Sequence, residues 1–519
     1  MRRLVVLLLT LVVPAAMLGA GFTLTMNRSF PGSSTGSTGP LVGPFAGSGV
    51  SPAGRIPVAI LLGSGGSVAT DVLGPYDVLA GSPAFDVFTV GVGTAPVALS
   101  GGLRTVPDHS VDDLDSGRAP WPEIVVVPAF TDPAGDPELL TLIERVHDRS
   151  GLIFGVCAGT RVLTHTGILN GRRATSFWSD LDGLRRSHPG TTWISGQRWV
   201  RDGRILTTAG VSSGILGALQ LVKELAGPSE EQRIGARINY PGWNSDSTTI
   251  PAQRITASDY PYPLHALLPW FQPRYGLVLP PRTEEIDIAA AAELYGGVAF
   301  TAHVIPLAEA GEITTAHGFR LLTTPISEAP QLDRLIIPGL RSGSGLPSLS
   351  GRSSPPELPH GPGLPSLSER SSPAELPSGS GLPSLSGLPS SAGLPFPAGL
   401  PSLAELPAGV PVFLPQAVEE PGDSGFDPIL RDIARTDGRG VAATAAKYIE
   451  YPAPVLPSGA PFPWRITLLA AGLFLLTTAG WAVAQVVSRV RRSVVPQPFS
   501  DTNQQVPAES ESHRGHTAR

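Results

Sequence analysis

Short apolar segments alternate with amphipathic segments along residues 55–240. Brief apolar runs bounded by turn residues are typical of buried strands, and apolar residues at helical spacing predict helices between them. The predicted strands are Val58–Leu62, Asp86–Val92, Ile124–Val127, Leu152–Val156 and Arg204–Thr208. The predicted helices are Asp71–Leu79, Pro137–Asp148 and Ser213–Leu225. This alternation predicts an α/β domain with a mainly parallel sheet.

A weaker pattern of the same kind occupies residues 275–340 and resumes in residues 425–455. Its predicted strands and helices are Tyr275–Leu279, Thr283–Leu294, Ala299–Ile305, Arg334–Pro338 and Asp427–Arg435. Two short motifs recur between the halves: Gly102–Arg104 resembles Gly318–Arg320, and Asp136–Leu140 resembles Asp427–Leu430. We therefore interpret the chain as an internal duplication whose second copy is degenerate and interrupted. The second copy contains no cysteine.

The interruption, residues 341–424, is a low-complexity segment rich in proline. Leu-Pro-Ser-Leu-Ser begins at Leu346, Leu364 and Leu382, with a spacing of 18 residues. Proline removes backbone donors, so this array predicts an extended spacer, although Pro356 and Pro359 also form one PxxP ligand motif. Residues 25–54 predict a Gly/Ser/Pro-rich linker, and residues 241–274 a connector between the copies.

Apolar segments lie near both ends of the chain. Residues 1–24 are typical of a secretory signal peptide or an uncleaved signal anchor. Residues 466–487 contain 22 residues without a charge and predict a transmembrane helix, with a buried core helix as the alternative. Arginines after this segment place residues 488–519 in the cytoplasm as a disordered tail. We thus expect a cell-membrane protein with two transmembrane helices and extracytoplasmic main domains.

The composition excludes several classes of function. The formal net charge is −6, whereas nucleic-acid binding needs a basic surface, so no nucleic-acid partner is expected. Cys157 is the only cysteine, which excludes an internal disulfide and a cysteine-rich metal site. Metal ligands at recognisable spacing are also absent from the sequence, so neither a metal nor another cofactor is predicted.

Cys157 directly follows the predicted strand Leu152–Val156 and precedes the small residues Ala158 and Gly159. A nucleophile elbow requires small neighbours in this way, because a helix packs closely behind a strained residue. The N-terminus of such a helix stabilises a thiolate, and so predicts a lowered pKa for the Cys157 thiol. The alternative is an inert cysteine, since free cysteines are among the most buried residues.

Four segments in order carry a resemblance to a known family. They are Asp71–Leu79, Val156–Gly159, Gly167–Thr175 with Trp178, and Asp202–Gly214. Together they resemble the ThiJ/PfpI branch of the class I glutamine-amidotransferase-like superfamily. The likeness is greatest to the amidase-like domains of AraC-type regulators and to isocyanide hydratases. It covers about residues 56–240, and implies a flavodoxin-like, doubly wound sheet.

The resemblance implies that Asp71 lies beside Cys157. A buried carboxyl group next to a thiolate holds its proton, and it can then act as a general acid and base. Asp71 also begins a predicted helix, so the alternative role is a helix N-cap, and the two roles are compatible. Backbone N–H groups of Gly65, Gly66 and Ala158 are candidates for an oxyanion hole.

Departures from the family pattern narrow the expected chemistry. Ala158 stands where protease-like members have histidine, and His109, His165 and His188 are not placed to assist Cys157, so cysteine-protease activity is not expected. Two hypotheses remain: a cysteine-dependent hydrolase or lyase acting on a small electrophile, and a small-molecule or redox sensor at the membrane. Because relatives often pair, the resemblance implies a homodimer or an internal pseudo-dimer.

Overall fold

The computed structural model describes residues 2–32, 50–243, 248–259, 262–339, 407, 409–452, 456–457 and 463–493. The chain divides into two compact units. One unit is Met17–Ala470, and it contains both predicted copies. The other comprises Met1–Ala16 and Ala471–Arg519. The repeats of the proline-rich segment lie outside the described residues.

The first half of the larger unit is built on a seven-stranded sheet with the order β10-β11-β7-β6-β1-β2-β5. The strands of this half are β1 (Ile56–Leu61), β2 (Phe85–Gly91), β3 (Val97–Leu99), β4 (Leu103–Thr105), β5 (His109–Ser110), β6 (Ile124–Val127), β7 (Leu152–Gly155), β8 (Arg173–Ala174), β9 (Thr192–Trp193), β10 (Trp199–Asp202) and β11 (Ile205–Thr208). β1 lies in the centre and pairs in parallel with β2 and β6, with Val58 opposite both Val87 and Ile124. Only the β10–β11 pairing in this sheet is antiparallel among the described residues.

Helices cover both faces of this sheet. Those of the first half are α1 (Arg2–Ser29), α2 (Ala69–Ala80), α3 (Val111–Asp115), α4 (Pro137–Asp148), α5 (Gly159–Thr164), α6 (Leu181–Ser187), α7 (Ser213–Ala226) and α8 (Pro228–Ile238). Val58 and Ile60 of β1 pack with α2 and α7, whereas Ala59 and Leu61 pack with α4 on the opposite face. The predicted doubly wound α/β fold is therefore confirmed.

Local sequence explains why some elements agree closely with prediction. Helix α4 begins and ends at the predicted residues, Pro137 and Asp148. Proline at the first helical position supplies the required φ and needs no hydrogen-bond acceptor. Leu139, Leu142 and Val146 return to one face at helical spacing and are buried against the sheet.

The second half of the larger unit carries a five-stranded sheet with the order β16-β13-β12-β17-β18. The strands of this half are β12 (Arg274–Val278), β13 (His303–Ala308), β14 (Glu312–Thr314), β15 (Arg320–Leu322), β16 (Thr324–Pro325), β17 (Arg334–Ile336) and β18 (Val412–Phe413), of which β14 and β15 lie outside the five-stranded sheet. Its helices are α9 (Pro263–Leu267), α10 (Glu285–Ala292), α11 (Asp427–Thr436) and α12 (Arg439–Tyr448), and α13 (Trp464–Ser493) follows. All pairings in this sheet are parallel.

The two sheets share a strand order. β12 lies between β13 and β17, as β1 lies between β2 and β6, so the second sheet repeats the order β5-β2-β1-β6-β7. One detail of the predicted repeat is wrong. The motif at Asp427 was matched to α4, but α11 follows β18, whereas α4 precedes the corresponding strand β7. The duplication itself stays a prediction.

The two halves share one continuous apolar core. Helix α2 packs on α10, and strands β4 and β15 pair to join the hairpins of both halves into one sheet. Gly101 lies at a close approach of the halves: a Cβ atom there would be 2.3 Å from the carbonyl oxygen of Ala292. Thr105 Oγ1 donates a hydrogen bond to the carbonyl of Arg320 at 2.6 Å.

The prediction of two transmembrane helices is wrong. Helices α1 and α13 occupy the two predicted segments, but no helix among the described residues combines the length and apolar character needed to cross a bilayer. In the part of α1 that belongs to the larger unit, the buried residues are the small or polar Gly21, Thr25 and Ser29. Thr25 Oγ1 donates to the carbonyl of Ala266 at 2.7 Å, so this face is bonded to protein.

Three predicted boundaries also change. Helix α1 ends at Ser29, so the linker predicted over residues 25–54 starts inside a helix, and residues 33–49 lie outside the described residues. Helix α13 ends at Ser493, so the tail predicted from residue 488 also starts inside a helix. The predicted connector 241–274 contains α9, and it ends at the first residue of β12.

The close approach at Gly101 generates a test of the packing between the halves. Gly101 (φ 75°) and Gly117 (φ 73°) have the same left-handed backbone, but no atom lies within 4 Å of a Cβ at Gly117. Gly117→Ala should cost about 1 kcal/mol of unfolding free energy for its backbone. Gly101→Ala should cost a further ~2 kcal/mol because it also forces α10 away. Urea unfolding measures both, and equal losses would contradict the described interface.

Candidate active site

Cys157 lies at a sharp turn between β7 and α5. Its φ is 54°, a left-handed conformation that is strained for a residue other than glycine. Two hydrogen bonds hold its backbone: its N–H donates to Thr208 Oγ1 at 3.3 Å, and its carbonyl accepts from Ser176 Oγ at 3.2 Å. The strand, the turn and the helix therefore form the nucleophile elbow that the sequence predicts.

Gly159 allows the helix to pack directly behind the elbow. A Cβ atom at this position would lie 2.0 Å from the carbonyl oxygen of Val127, at the end of the neighbouring strand β6. No side chain fits in that space, so the first residue of α5 must be glycine. Ala158 precedes it with an ordinary helical backbone (φ −70°).

Asp71 lies in the first turn of α2 and is fully buried. It is not the N-cap of this helix: that position belongs to Val68, and no side chain caps the helix. Its Oδ2 instead accepts a hydrogen bond from the N–H of Ala129 at 3.0 Å, just beyond β6. Its Oδ1 is buried without a hydrogen-bond partner among the described residues. The N-cap interpretation is therefore wrong, and one carboxyl oxygen remains to act on a reacting group.

Burial controls the ionisation of Asp71. It raises the pKa of this carboxyl well above its usual range, although the N–H of Ala129 acts in the opposite direction. The negative charge of Glu293, from the second half, raises the pKa further. Burial and a neighbouring negative charge both favour the protonated form of this carboxyl group, which is the direction that the sequence predicts.

The thiol of Cys157 departs from expectation. Burial raises its pKa well above the ordinary value, and the charge of Asp71 raises it further, whereas the N–H of Ala158 acts in the opposite direction. Helix α5 has only six residues, so its dipole cannot offset the burial of a side chain that is 3% exposed. The predicted lowering of the pKa is thus wrong, and the thiol form prevails.

The three candidates for an oxyanion hole differ in what their N–H groups do. The N–H of Gly66 already donates to the carbonyl of Gly63 at 3.0 Å, closing a turn. The N–H of Ala158 acts on the thiol of Cys157. Gly65 belongs to the same turn as Gly66 and packs against Thr131, where a Cβ would meet Oγ1 at 2.7 Å. A role for Gly65 stays a prediction.

Comparison with known proteins adds to this geometry. The sequence pattern described as the DJ-1/PfpI family matches residues 57–224. Isonitrile hydratase from Pseudomonas putida is 34% identical over 173 residues, which are 33% of this chain and 72% of that protein. The chain belongs to the DJ-1/PfpI family. The resemblance to ThiJ/PfpI proteins read from the sequence is thereby confirmed.

Two further proteins resemble the DJ-1/PfpI domain. The HTH-type transcriptional regulator CdhR of Pseudomonas aeruginosa is 30% identical over 136 residues, which are 26% of this chain and 38% of the regulator. The crystal structure of Drosophila melanogaster DJ-1beta shares 24% identity, with a TM-score of 0.32, and the match covers 35% of this chain and 97% of that one. The family match ends at residue 224, before the second half begins.

The site of the DJ-1/PfpI domain includes carboxyl groups that the sequence analysis missed. Besides Asp71, the charges of Glu450 and Asp180 raise the pKa of the Cys157 thiol. Glu293 hydrogen-bonds to the N–H of Thr70, next to Asp71, at 3.3 Å. Glu293 and Glu450 belong to the second half of the chain. Motifs around Cys157 therefore contained no signal for them, whereas Asp180 follows shortly after the motif residue Trp178.

Aromatic side chains from three segments meet next to Ser176. The ring of Tyr448 lies 6.4 Å from that of Phe177 and 5.6 Å from that of Trp178, between ring centroids. Tyr262 stacks on Tyr448 at 5.1 Å with nearly parallel rings. Phe177 and Trp178 belong to the DJ-1/PfpI domain, and Tyr448 ends α12 of the second half. Ser176 also contacts Cys157, so this aromatic cluster adjoins the elbow.

Asp77, Glu285 and His317 bring three potential metal-ligand atoms within 4.8 Å of one another. Protein groups already occupy these atoms: Arg237 and the N–H of Ile286 bind Asp77, and Glu285 binds His317 Nδ1 at 2.7 Å. Burial lowers the pKa of His317, but the hydrogen bond and charge of Glu285 raise it above its ordinary value. This cluster is therefore an ion-pair network between the halves.

The histidines considered in the sequence do not complete a triad around Cys157. His109 lies in β5, where its ring contacts Phe88 edge-on. His165 and His188 end helices α5 and α6. The charged groups that act on the Cys157 thiol are instead the carboxyls of Asp71, Glu450 and Asp180.

The contact behind the elbow predicts a strong effect of one methyl group. Gly159→Ala should destabilise the protein by at least ~2 kcal/mol and disorder Cys157, because the added Cβ collides with the backbone of β6. Gly183→Ala is the matched control: Gly183 also lies in a helix, but no atom lies within 4 Å of a Cβ there. It should be neutral or slightly stabilising. Thermal unfolding distinguishes them, and a well-folded Gly159→Ala protein would contradict the packing described.

Proposed function

We propose that this protein is a cysteine-dependent hydratase of small molecules with an electrophilic carbon, with isonitriles as the substrate class. The observation that carries the proposal is the pairing of Cys157, held at φ 54°, with a buried Asp71 whose Oδ1 has no partner among the described residues. A nucleophile and a protonated acid are what addition across a carbon–nitrogen multiple bond needs. The isonitrile hydratase of Pseudomonas putida, among its relatives, supports the substrate class.

The proposed reaction proceeds in two steps. Sulfur of Cys157 bonds to the isonitrile carbon, Asp71 gives that carbon a proton, and the carboxyl group takes the thiol proton in exchange. This step forms a thioimidate on Cys157. Water then bonds to the same carbon, a proton reaches the nitrogen through Asp71, the C–S bond breaks and sulfur regains its proton. The sum is one isonitrile plus one water giving one N-substituted formamide.

The raised pKa values suit this chemistry. Asp71 must hold a proton at the start of the first step, and burial raises its pKa in the direction that favours this protonated form. Cys157 starts as a thiol, so no separate base is needed to balance the proton transfer. The Phe177–Trp178–Tyr448 cluster places aromatic rings next to the elbow, where Cys157 is only 3% exposed.

Sensing of oxidants by Cys157 receives less support. Redox-sensing cysteines are exposed and have a lowered pKa, because the thiolate is the form that peroxide attacks. Cys157 is buried and its pKa is raised. Binding of a small ligand without turnover remains the alternative, and turnover itself separates the two functions.

Turnover of tert-butyl isonitrile by the full chain tests the proposal. The unaltered protein should form the N-substituted formamide, and Cys157→Ser should abolish this activity. Asp71→Asn should lower kcat by about 100- to 10,000-fold, the usual contribution of a general acid. Because the proton of Asp71 is needed, activity should decline as the pH rises through the raised pKa of this carboxyl group, and this decline should be absent in Asp71→Asn. Product is measured by chromatography.

Asp182→Asn serves as the control, since Asp182 is exposed and forms an ion pair with Arg185 on the surface of α6. It should leave kcat unchanged. Binding of the isonitrile without any formamide would reject the hydratase and favour a ligand-binding module. Equal activity of Asp71→Asn and the unaltered protein would remove Asp71 from the mechanism.

A further inference from the structure

Glu450 is a buried carboxyl group that the second half of the chain places near Cys157. It follows helix α12, is 4% exposed and has a left-handed backbone with φ 54°. Glutamate is among the residues least often buried without a partner, and positive φ is uncommon outside glycine. A glutamate that is both buried and held in a left-handed backbone conformation indicates a specific role.

Its carboxylate connects the two segments that hold Cys157. The N–H of Gly210 donates a hydrogen bond to Glu450 Oε2. Gly210 lies two residues after Thr208, and Thr208 accepts a hydrogen bond from the N–H of Cys157. The N–H of Trp178 also acts on the carboxylate, and Trp178 lies two residues after Ser176, which donates to the carbonyl of Cys157. Glu450 thus fixes the position of both segments.

The residues next to Glu450 and Gly210 allow these two segments to pack closely. A Cβ atom at Gly210 would lie 2.7 Å from Glu450 Cγ, so only glycine admits the side chain. The neighbouring carbonyl of Ile449 accepts hydrogen bonds from Ser212, from the N–H at 3.0 Å and from Oγ at 2.6 Å. Three successive contacts therefore attach the end of α12 to the start of α7.

The other oxygen of Glu450, Oε1, is buried and has no hydrogen-bond partner among the described residues. Burial raises the pKa of Glu450 to about 7, against the opposing effects of the N–H of Gly210 and the charge of Arg198. The charged form raises the pKa of the Cys157 thiol, together with Asp71 and Asp180, and also that of Tyr240. The charged and titratable groups around Glu450 and Cys157 thus come from several elements. Asp71 lies in α2, Asp180 lies just before α6, Arg198 lies just before β10, and Tyr240 follows α8.

We propose that Glu450 is a positioning residue of the Cys157 site, donated by the second half of the chain, and that it places a buried carboxylate against the segments that hold the thiol. Its carboxylate holds the Thr208 and Ser176 segments at the elbow. Its charge acts on the sulfur once Glu450 ionises. The proposal rests on Cys157 being the reactive group of the proposed function, but the test below needs no substrate.

The test is a pH titration of thiolate absorbance in the full chain, where Cys157 is the only cysteine. Each protein is compared with the same protein carrying Cys157→Ser, which removes the contribution of tyrosines. Glu450→Gln keeps a hydrogen-bond acceptor but removes the charge. The midpoint of thiol ionisation should then move down by about 0.5–1 pH unit, a three- to tenfold gain in thiolate below the midpoint. Glu450→Ala should move it in the same direction.

Glu285→Gln is the matched control, a fully buried glutamate of the second half that binds Thr315 and His317, away from Cys157. It should lower stability without moving the midpoint. An unchanged midpoint in Glu450→Gln overturns the proposal, and so does a shift confined to Glu450→Ala, which would indicate a purely structural contact. A shift without isonitrile turnover would reject the proposed function and leave this inference intact, whereas turnover without a shift would do the reverse.

Discussion

The left-handed backbone of Cys157 is the constraint on which the site depends. Such a conformation costs of order 1–3 kcal/mol for a residue other than glycine, so the surrounding fold must hold it in place. A hydrogen bond from Cys157 N–H to Thr208 and one from Ser176 to the Cys157 carbonyl fix the turn from two sides, and Gly159 brings helix α5 against β6 behind it. Loss of any of these contacts would let the turn relax and withdraw the thiol from Asp71.

Burial then sets the chemistry of the site. Asp71, Glu293 and Glu450 are buried acids, and each has a pKa raised by desolvation. Carboxyl groups in such a setting serve better as proton carriers than as fixed charges, because the low-dielectric interior disfavours the ionised form. The same burial keeps Cys157 a thiol. The site is consequently suited to moving protons between neutral partners, and less suited to storing a thiolate.

Sequence predicted most of the first half because its signals are local. Buried strands such as Ile124–Val127 are short apolar runs, and the elbow is visible in the residues around Cys157. The carboxyls of the second half were not predictable, because Glu450 meets Gly210 across 240 positions of sequence. The membrane prediction failed for a related reason. An apolar segment such as residues 1–24 carries no sign of the protein surface that its helix contacts.

The second half has no cysteine of its own, but its residues contribute to the surroundings of Cys157 in the first half. It shares the strand order of the first half and one continuous core with it. It also sends one carboxyl group toward Asp71 and another toward the segments that hold Cys157. Glu293 reaches the backbone beside Asp71, and Glu450 reaches the segments that hold Cys157. Glu293 lies just after α10 and Glu450 lies just after α12, so these two contacts come from separate elements. The second half thus acts as a scaffold that completes the first. A domain isolated from it would lose both contacts, and with them the support that Glu450 gives to the segments around Cys157.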